Sequence, residues 1–128
     1  MEKTLEQAVH DVLWKICKSI MPDVYENRPM TEVEYPFTDF EEFRAKYNPT
    51  KNGTTATVTG YISQWFADGE RSKASAAGEN LFRQAMKLEK AYGYPVSLRV
   101  GDSGIEMIHD KTVMPPVWRC RIALVFEC

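Results

Sequence analysis

The C-terminal stretch of the chain carries its cleanest pattern. Between Val117 and Cys128, the residues Trp118, Cys120, Ile122, Leu124 and Phe126 alternate with Val117, Arg119, Arg121, Ala123, Val125 and Glu127. A period of two puts each set on its own face, so the spacing predicts a strand with one face on a core. Thr55–Phe66 reads the same way and is dense in β-branched and aromatic residues. Ala56, Val58, Gly60, Ile62 and Phe66 share one face there. Thr57, Thr59, Tyr61, Ser63 and Trp65 share the other.

Two segments change to a helical period. In Leu5–Met21, the residues Leu5, Val9, Val12, Leu13, Ile16 and Ile20 fall on one side. Glu2 and Glu6 near the start and Lys15 and Lys18 near the end suit the helix dipole, and Pro22 ends the ladder. His10, Trp14 and Cys17 lie toward one flank of this stripe. In Ser72–Tyr92, the residues Ala74, Ala77, Gly78, Leu81, Ala85 and Leu88 make an inner stripe of mostly small side chains, which allows close approach to a sheet. Gly93 and Pro95 are placed to stop this helix.

The remaining segments predict weaker elements. Val24–Phe40 looks extended, with Val33, Tyr35 and Phe37 alternating with Glu34, Pro36 and Thr38. Pro36 marks it as an edge strand or one that starts late. Glu41–Thr54 is polar, ends in Asn48-Pro49-Thr50-Lys51-Asn52-Gly53, and reads as a projecting loop. Val96–Val100 and Ile105–His109 are spaced to pair as a hairpin across Gly101–Gly104. Together these patterns predict an α+β fold, a two-layer sandwich over residues 1–128 taken as one domain. Its antiparallel sheet has about four strands, and the helices Leu5–Met21 and Ser72–Tyr92 pack on one face.

Composition narrows the function more than the fold. The chain has 128 residues, 44% apolar and 27% charged, and a net charge of −2. That balance suits one ordinary core and supplies no global field for nucleic acid or an anionic membrane. Met1–Ala8 is too charged for a secretory h-region, and no apolar run approaches a bilayer span. A soluble cytoplasmic protein is expected. Its three cysteines, Cys17, Cys120 and Cys128, have the spacing of neither a zinc site nor a redox pair and read as buried or terminal free thiols.

The sequence carries no recognisable catalytic, metal or cofactor set. His10 and His109 belong to different elements, and neither neighbours a nucleophile motif. The carboxylates Glu32, Glu34, Asp39, Glu41 and Glu42 read as a solvated, charged edge. Lys73, Arg83, Lys87 and Lys90 lie on the second helix with Glu79 and Glu89 between them, a solvated face rather than a nucleic-acid footprint. The candidate site is instead an interface. Tyr61 and Trp65 on one strand, with Arg119, Arg121 and Val125 on the last, point away from the face that holds Val58 and Ile62. Aromatics with arginine on an open sheet face suit a protein partner; the alternative is a helix or loop of the same chain lying over them.

The order of elements resembles the tail terminator, or tail completion, proteins of long-tailed bacteriophages with non-contractile tails. The likeness rests on the opening helix, on Glu32-Val-Glu-Tyr-Pro-Phe37, on Thr57–Asp68 leading through Gly-Glu-Arg-Ser-Lys73 into a helix, and on the closing strand Arg119–Glu127. Ile105–Pro116 is the departure from it. The resemblance implies a non-enzymatic assembly protein, made in the host bacterial cytoplasm and carried in the virion tail. Such a protein forms a ring, usually of six copies, that ends the tail tube and meets the head connector, with no cofactor. Its partners are then itself, the tail tube protein and the connector, with no specific nucleic acid and no membrane. A head-completion adaptor or minor capsid protein, or a small α+β enzyme or ligand-binding module, are the competing readings.

Overall fold

A computed structural model describes residues 3–29 and 31–128. Glu2 lies outside the described residues. The first helix, α1, spans Leu5–Ile20. Thr4 caps it, its Oγ1 accepting from the Gln7 N–H at 3.2 Å. Leu5, Ala8, Val9, Leu13 and Cys17 form its buried face. The buried face thus takes in Cys17, placed at its flank by the sequence pattern, while Val12, Ile16 and Ile20 are partly buried against it.

After α1 come β1 (Val24–Glu26), β2 (Phe37–Thr50) and β3 (Gly53–Ala67), then α2 (Arg71–Met86). Three short strands follow, β4 (Lys90–Ala91), β5 (Tyr94–Pro95) and β6 (Ser97–Leu98), then a 3-10 turn at Val100–Asp102, β7 (Gly104–Asp110) and β8 (Val117–Glu127). The main sheet runs β1-β2-β3-β8, with β6 and β7 both bonded to the far edge of β8. Both helices pack on one face of it. The α+β two-layer architecture is as expected. The sheet, however, has 6 strands rather than four, and it is mixed, because β1 runs parallel to β2.

The largest correction concerns Glu41–Thr54. It is not a loop. β2 continues through it to Thr50 and turns at Lys51–Asn52 into β3, so the segment is the projecting half of a long hairpin. A bulge hides this in the sequence. Phe40 pairs with Ile62 and Phe43 with Gly60, so Glu41 and Glu42 together oppose Tyr61. One extra residue reverses the phase of the alternation. Beyond it Phe43, Ala45 and Tyr47 fall on the helix side and Arg44 and Lys46 on the other. The Phe43 ring lies over Gly60, where an added Cβ would meet it at 2.5 Å.

Three further expectations are revised. Residues 27–29 and 31–36 form no strand; among the described residues Val24–Glu26 pairs with this side of β2, and Glu32 and Glu34 are exposed on the irregular stretch. α2 ends at Met86 and does not reach Tyr92. Gly93 serves a different turn: with φ of 48° at Tyr92 and 92° at Gly93, it closes the small β4–β5 hairpin. The segments around Val96–Val100 and Ile105–His109 do not pair with each other. Each bonds to β8, Leu98 opposite Phe126 and Ile105 opposite Ile122, because β8 is long enough to take both in succession.

The core fills the space between helices and sheet. Leu13, Leu81, Ile62, Ile122, Leu124 and Phe126 are fully buried there. α2 comes closest at Gly78, where an added Cβ would fall on the Cys120 Sγ. Burial of apolar side chains at ~1.5–3 kcal/mol each is what holds the two layers together.

Candidate functional site: the open face of the sheet

The face opposite the helices is built by the outward residues of β2, β3 and β8. Their register brings Asp39 opposite Ser63, Ser63 opposite Arg121, and Trp65 opposite Phe37 and Arg119. Tyr61, Trp65, Arg119 and Arg121 all line one groove of about 410 Å³, with Asn27, Arg28, Asp39, Glu41 and Glu42. The sequence placed these aromatics and arginines on a common face, and the structure gathers them. Val125 shares that face, opposite Thr59, but sits farther along β8 and outside the groove.

Glu41 is the centre of this groove, and sequence reasoning assigned it only to a solvated edge. Ser63 Oγ donates to its Oε2, Arg119 Nη2 donates to the same oxygen at 2.6 Å, and Arg121 Nε reaches Oε1 at 3.4 Å. Arg119 Nε also donates to Ser63 Oγ at 2.9 Å. Burial pushes the Glu41 carboxyl upward, but the hydrogen bonds from Ser63 and Arg119 and the Arg119 charge outweigh it and hold it below its ordinary value. Asp39 behaves oppositely. Burial raises its carboxyl, the neighbouring Glu41 charge adds to that, and the Trp65 Nε1–H donated at 3.2 Å offsets only part. Two carboxylates on one strand are thus driven apart by their surroundings.

Trp65 is covered from within the chain. It is 3% exposed, packed in a cluster with Phe37, Val117, Tyr25, Val33 and Val113. The Arg28 and Arg119 guanidiniums stand 4.3 and 5.1 Å from its ring. The segments around Arg28, Val33 and Tyr35 and around Val113–Val117 supply much of this cover and line a second groove of about 390 Å³ beside it. Of the two outcomes left open by the sequence, cover by the same chain holds for Trp65. Tyr61 is half-buried, its ring 4.4 Å from the Arg121 guanidinium, and Arg119, Arg121 and Val125 also keep partial access to solvent.

The remaining candidates sort simply. Cys17 and Cys120 are buried, and burial pushes their thiols up to about 12 and about 11, so neither is a poised nucleophile. His10 lies between Glu26 at 2.6 Å and Asp11 at 2.9 Å and stacks on Trp14; His109 stacks on Trp118, 3.3 Å from Asp68. Lys73 and Arg83 are exposed and face Glu70 at 3.4 Å and Glu79 at 3.9 Å. Among the described residues, no group of three or more His, Cys, Asp or Glu gathers as a metal site. No described helix is long and apolar enough to cross a membrane.

No protein-family model matches the chain, and no curated protein matches it. Among solved structures, its backbone is similar to a chain of one described as "Virion of native gene transfer agent (GTA) particle". The TM-score is 0.66 at 12% identity, over 96% of this chain and 92% of that one. At that identity the likeness establishes a shared fold.

Proposed function

We propose that this chain is a structural protein of a phage-like virion, non-enzymatic, acting as the tail terminator. Copies form a ring, six in number, at the head-proximal end of the tail tube. The ring stops tube growth and presents a surface to the head connector. The observation that carries this reading is the backbone likeness to a virion-particle chain over nearly the whole length of both. The element order behind the resemblance in the sequence supports it independently.

The open face fits such a role. A ring needs one patch to meet a different patch on its neighbour. Tyr61, Arg119, Arg121 and Val125 offer half-buried aromatic, cationic and apolar surface of the kind enriched at protein interfaces. Conversely, among the described residues, the grooves around Trp65 and Val113 are lined by neither histidine and by no cysteine, which speaks against an enzyme reading built on those residues.

The test is assembly with a polymerising tail tube protein. Light scattering is expected to give a ring at high protein concentration, and electron microscopy tubes of limited length with added density at one end. A strict monomer, even with tube protein present, and tubes of unlimited length would overturn the reading. Binding to a portal-type connector without any effect on tubes would move the chain to head completion.

A further inference from the structure

The main sheet ends in two edges without a strand beside them. On one side β1 covers β2 only at Thr38–Phe40, so β2 is open from Phe43 to Thr50 among the described residues. On the other side, among the described residues, β7 is bonded to β8 alone and its outer edge carries no strand. Free N–H and C=O groups in a row are a template for another strand. The 7 residues of β7 fit within the open stretch of β2.

Charge selects which edges can meet. On the open face, β2 carries the exposed Arg44 and Lys46, and β7 carries Glu106 and Asp110. On the helix side, Tyr47 is 59% exposed and Ile105 is 36% exposed. Pairing β2 with β2 would set cation on cation, and pairing β7 with β7 would set carboxylate on carboxylate. Like charges directly opposite destabilise a sheet. Pairing β2 with β7 matches charges on one face and brings Tyr47 toward Ile105 on the other.

Strand direction agrees. β2 is antiparallel to β3, β3 to β8 and β8 to β7, so β7 runs opposite to β2. Copies related by rotation about an axis along the strands keep these directions. The β7 strand of one copy therefore meets the β2 strand of the next antiparallel. β7 lies level with the Phe37–Phe40 end of β2, not its open half, so neighbours must be staggered along the strands. A closed sheet requires such a stagger.

We propose that copies of this chain join head to tail by strand addition, the open half of β2 in one copy pairing with β7 of the next. The proposal rests on the ring reading above and names its contact. Lys46, a residue type that discourages edge pairing, here restricts it to a strand that offers a carboxylate.

The experiment uses the full chain with Cys128→Ser, leaving the two buried thiols, and adds Lys46→Cys or Glu106→Cys. Mild oxidation of the mixed variants is expected to give a disulfide-linked dimer, and oxidation of either alone is not. Homodimers of either variant would overturn the proposal. A ring by light scattering without the mixed disulfide would overturn the edge contact and leave the ring reading standing. A monomer under all conditions would overturn both. In parallel, Lys46→Glu and Glu106→Lys are each expected to weaken association about three- to tenfold, and the double exchange to restore it. A double variant as weak as the sum of the singles would contradict the pairing.

Discussion

Glu41→Gln is the most informative single change on the open face. It keeps the side-chain shape and one acceptor oxygen but removes the charge that holds Arg119 at 2.6 Å and Ser63. The Arg121 contact at 3.4 Å is long enough to count for little. A hydrogen bond to a charged group contributes about 1.5–3 kcal/mol, and a neutral one about 0.5–1.5. Part of that difference is screened, because both partners keep some access to water, which leaves an expected loss of about 1–2 kcal/mol at neutral pH. For a chain of this size that lowers Tm by about 3–10 °C. The pH dependence gives the sharper check. The folded Glu41 carboxyl lies below its unfolded value, so its contribution is fully present above about pH 5 and fades as pH falls through the depressed value. Unfolding monitored by circular dichroism should show the variant less stable at neutral pH, with a smaller gap to the parent at an acidic pH below the unfolded-state value. An equal gap at both pH values would mean a steric cause, and no gap at neutral pH would mean that the cluster holds nothing.

Three other outcomes are expected. Asp39→Asn keeps an acceptor for the Trp65 N–H while removing a charge that burial disfavours, so stability at neutral pH should hold or rise by about 1 kcal/mol; a fall in the urea midpoint would contradict this. Its sign is opposite to that of Glu41: a carboxyl raised in the folded state favours folding as pH drops through that value. Gly78→Ala should cost about 1–3 kcal/mol despite better helix propensity, because the new methyl falls on the Cys120 Sγ, and Cys120→Ala in the same chain should recover part of it. A thiol reagent at mild alkaline pH should label Cys128 in the folded protein and all three cysteines only after unfolding; rapid labelling of Cys17 would refute its burial.

What the sequence made legible follows from how local each signal is. β8 was readable because every second residue obeys one rule without interruption. α1 was readable from its spacing and Pro22. The β2–β3 hairpin was not, because Glu41 and Glu42 shift the phase at the point where Asn48, Pro49 and Gly53 begin to look like loop chemistry. The end of α2 was missed because Leu88 prolongs the apolar stripe and still packs on the core after the helix has stopped. For the site, the side on which Tyr61, Trp65, Arg119 and Arg121 stand was written in period two. The partner of those arginines was not, since Glu41 is separated from Arg119 by 78 positions and only strand register unites them. The cover over Trp65 comes largely from irregular segments, and the alternation around Val33 and Tyr35 in one of them pointed to a strand that does not form there.

The bulge in β2 has a consequence for how the molecule points. Without Glu42, the order Phe40, Glu41, Phe43, Arg44, Ala45 would alternate perfectly against β3, with each side chain on the face it already occupies. Glu42 is a spare residue as far as pairing is concerned. What an extra residue adds to a strand is bend and twist. The arm formed by the tips of β2 and β3 is therefore aimed by a single residue that the core can do without. Deleting Glu42 should leave a chain that folds as firmly as before, with its arm swung to another bearing, so that shape of assembly and stability of the subunit are set by separate positions.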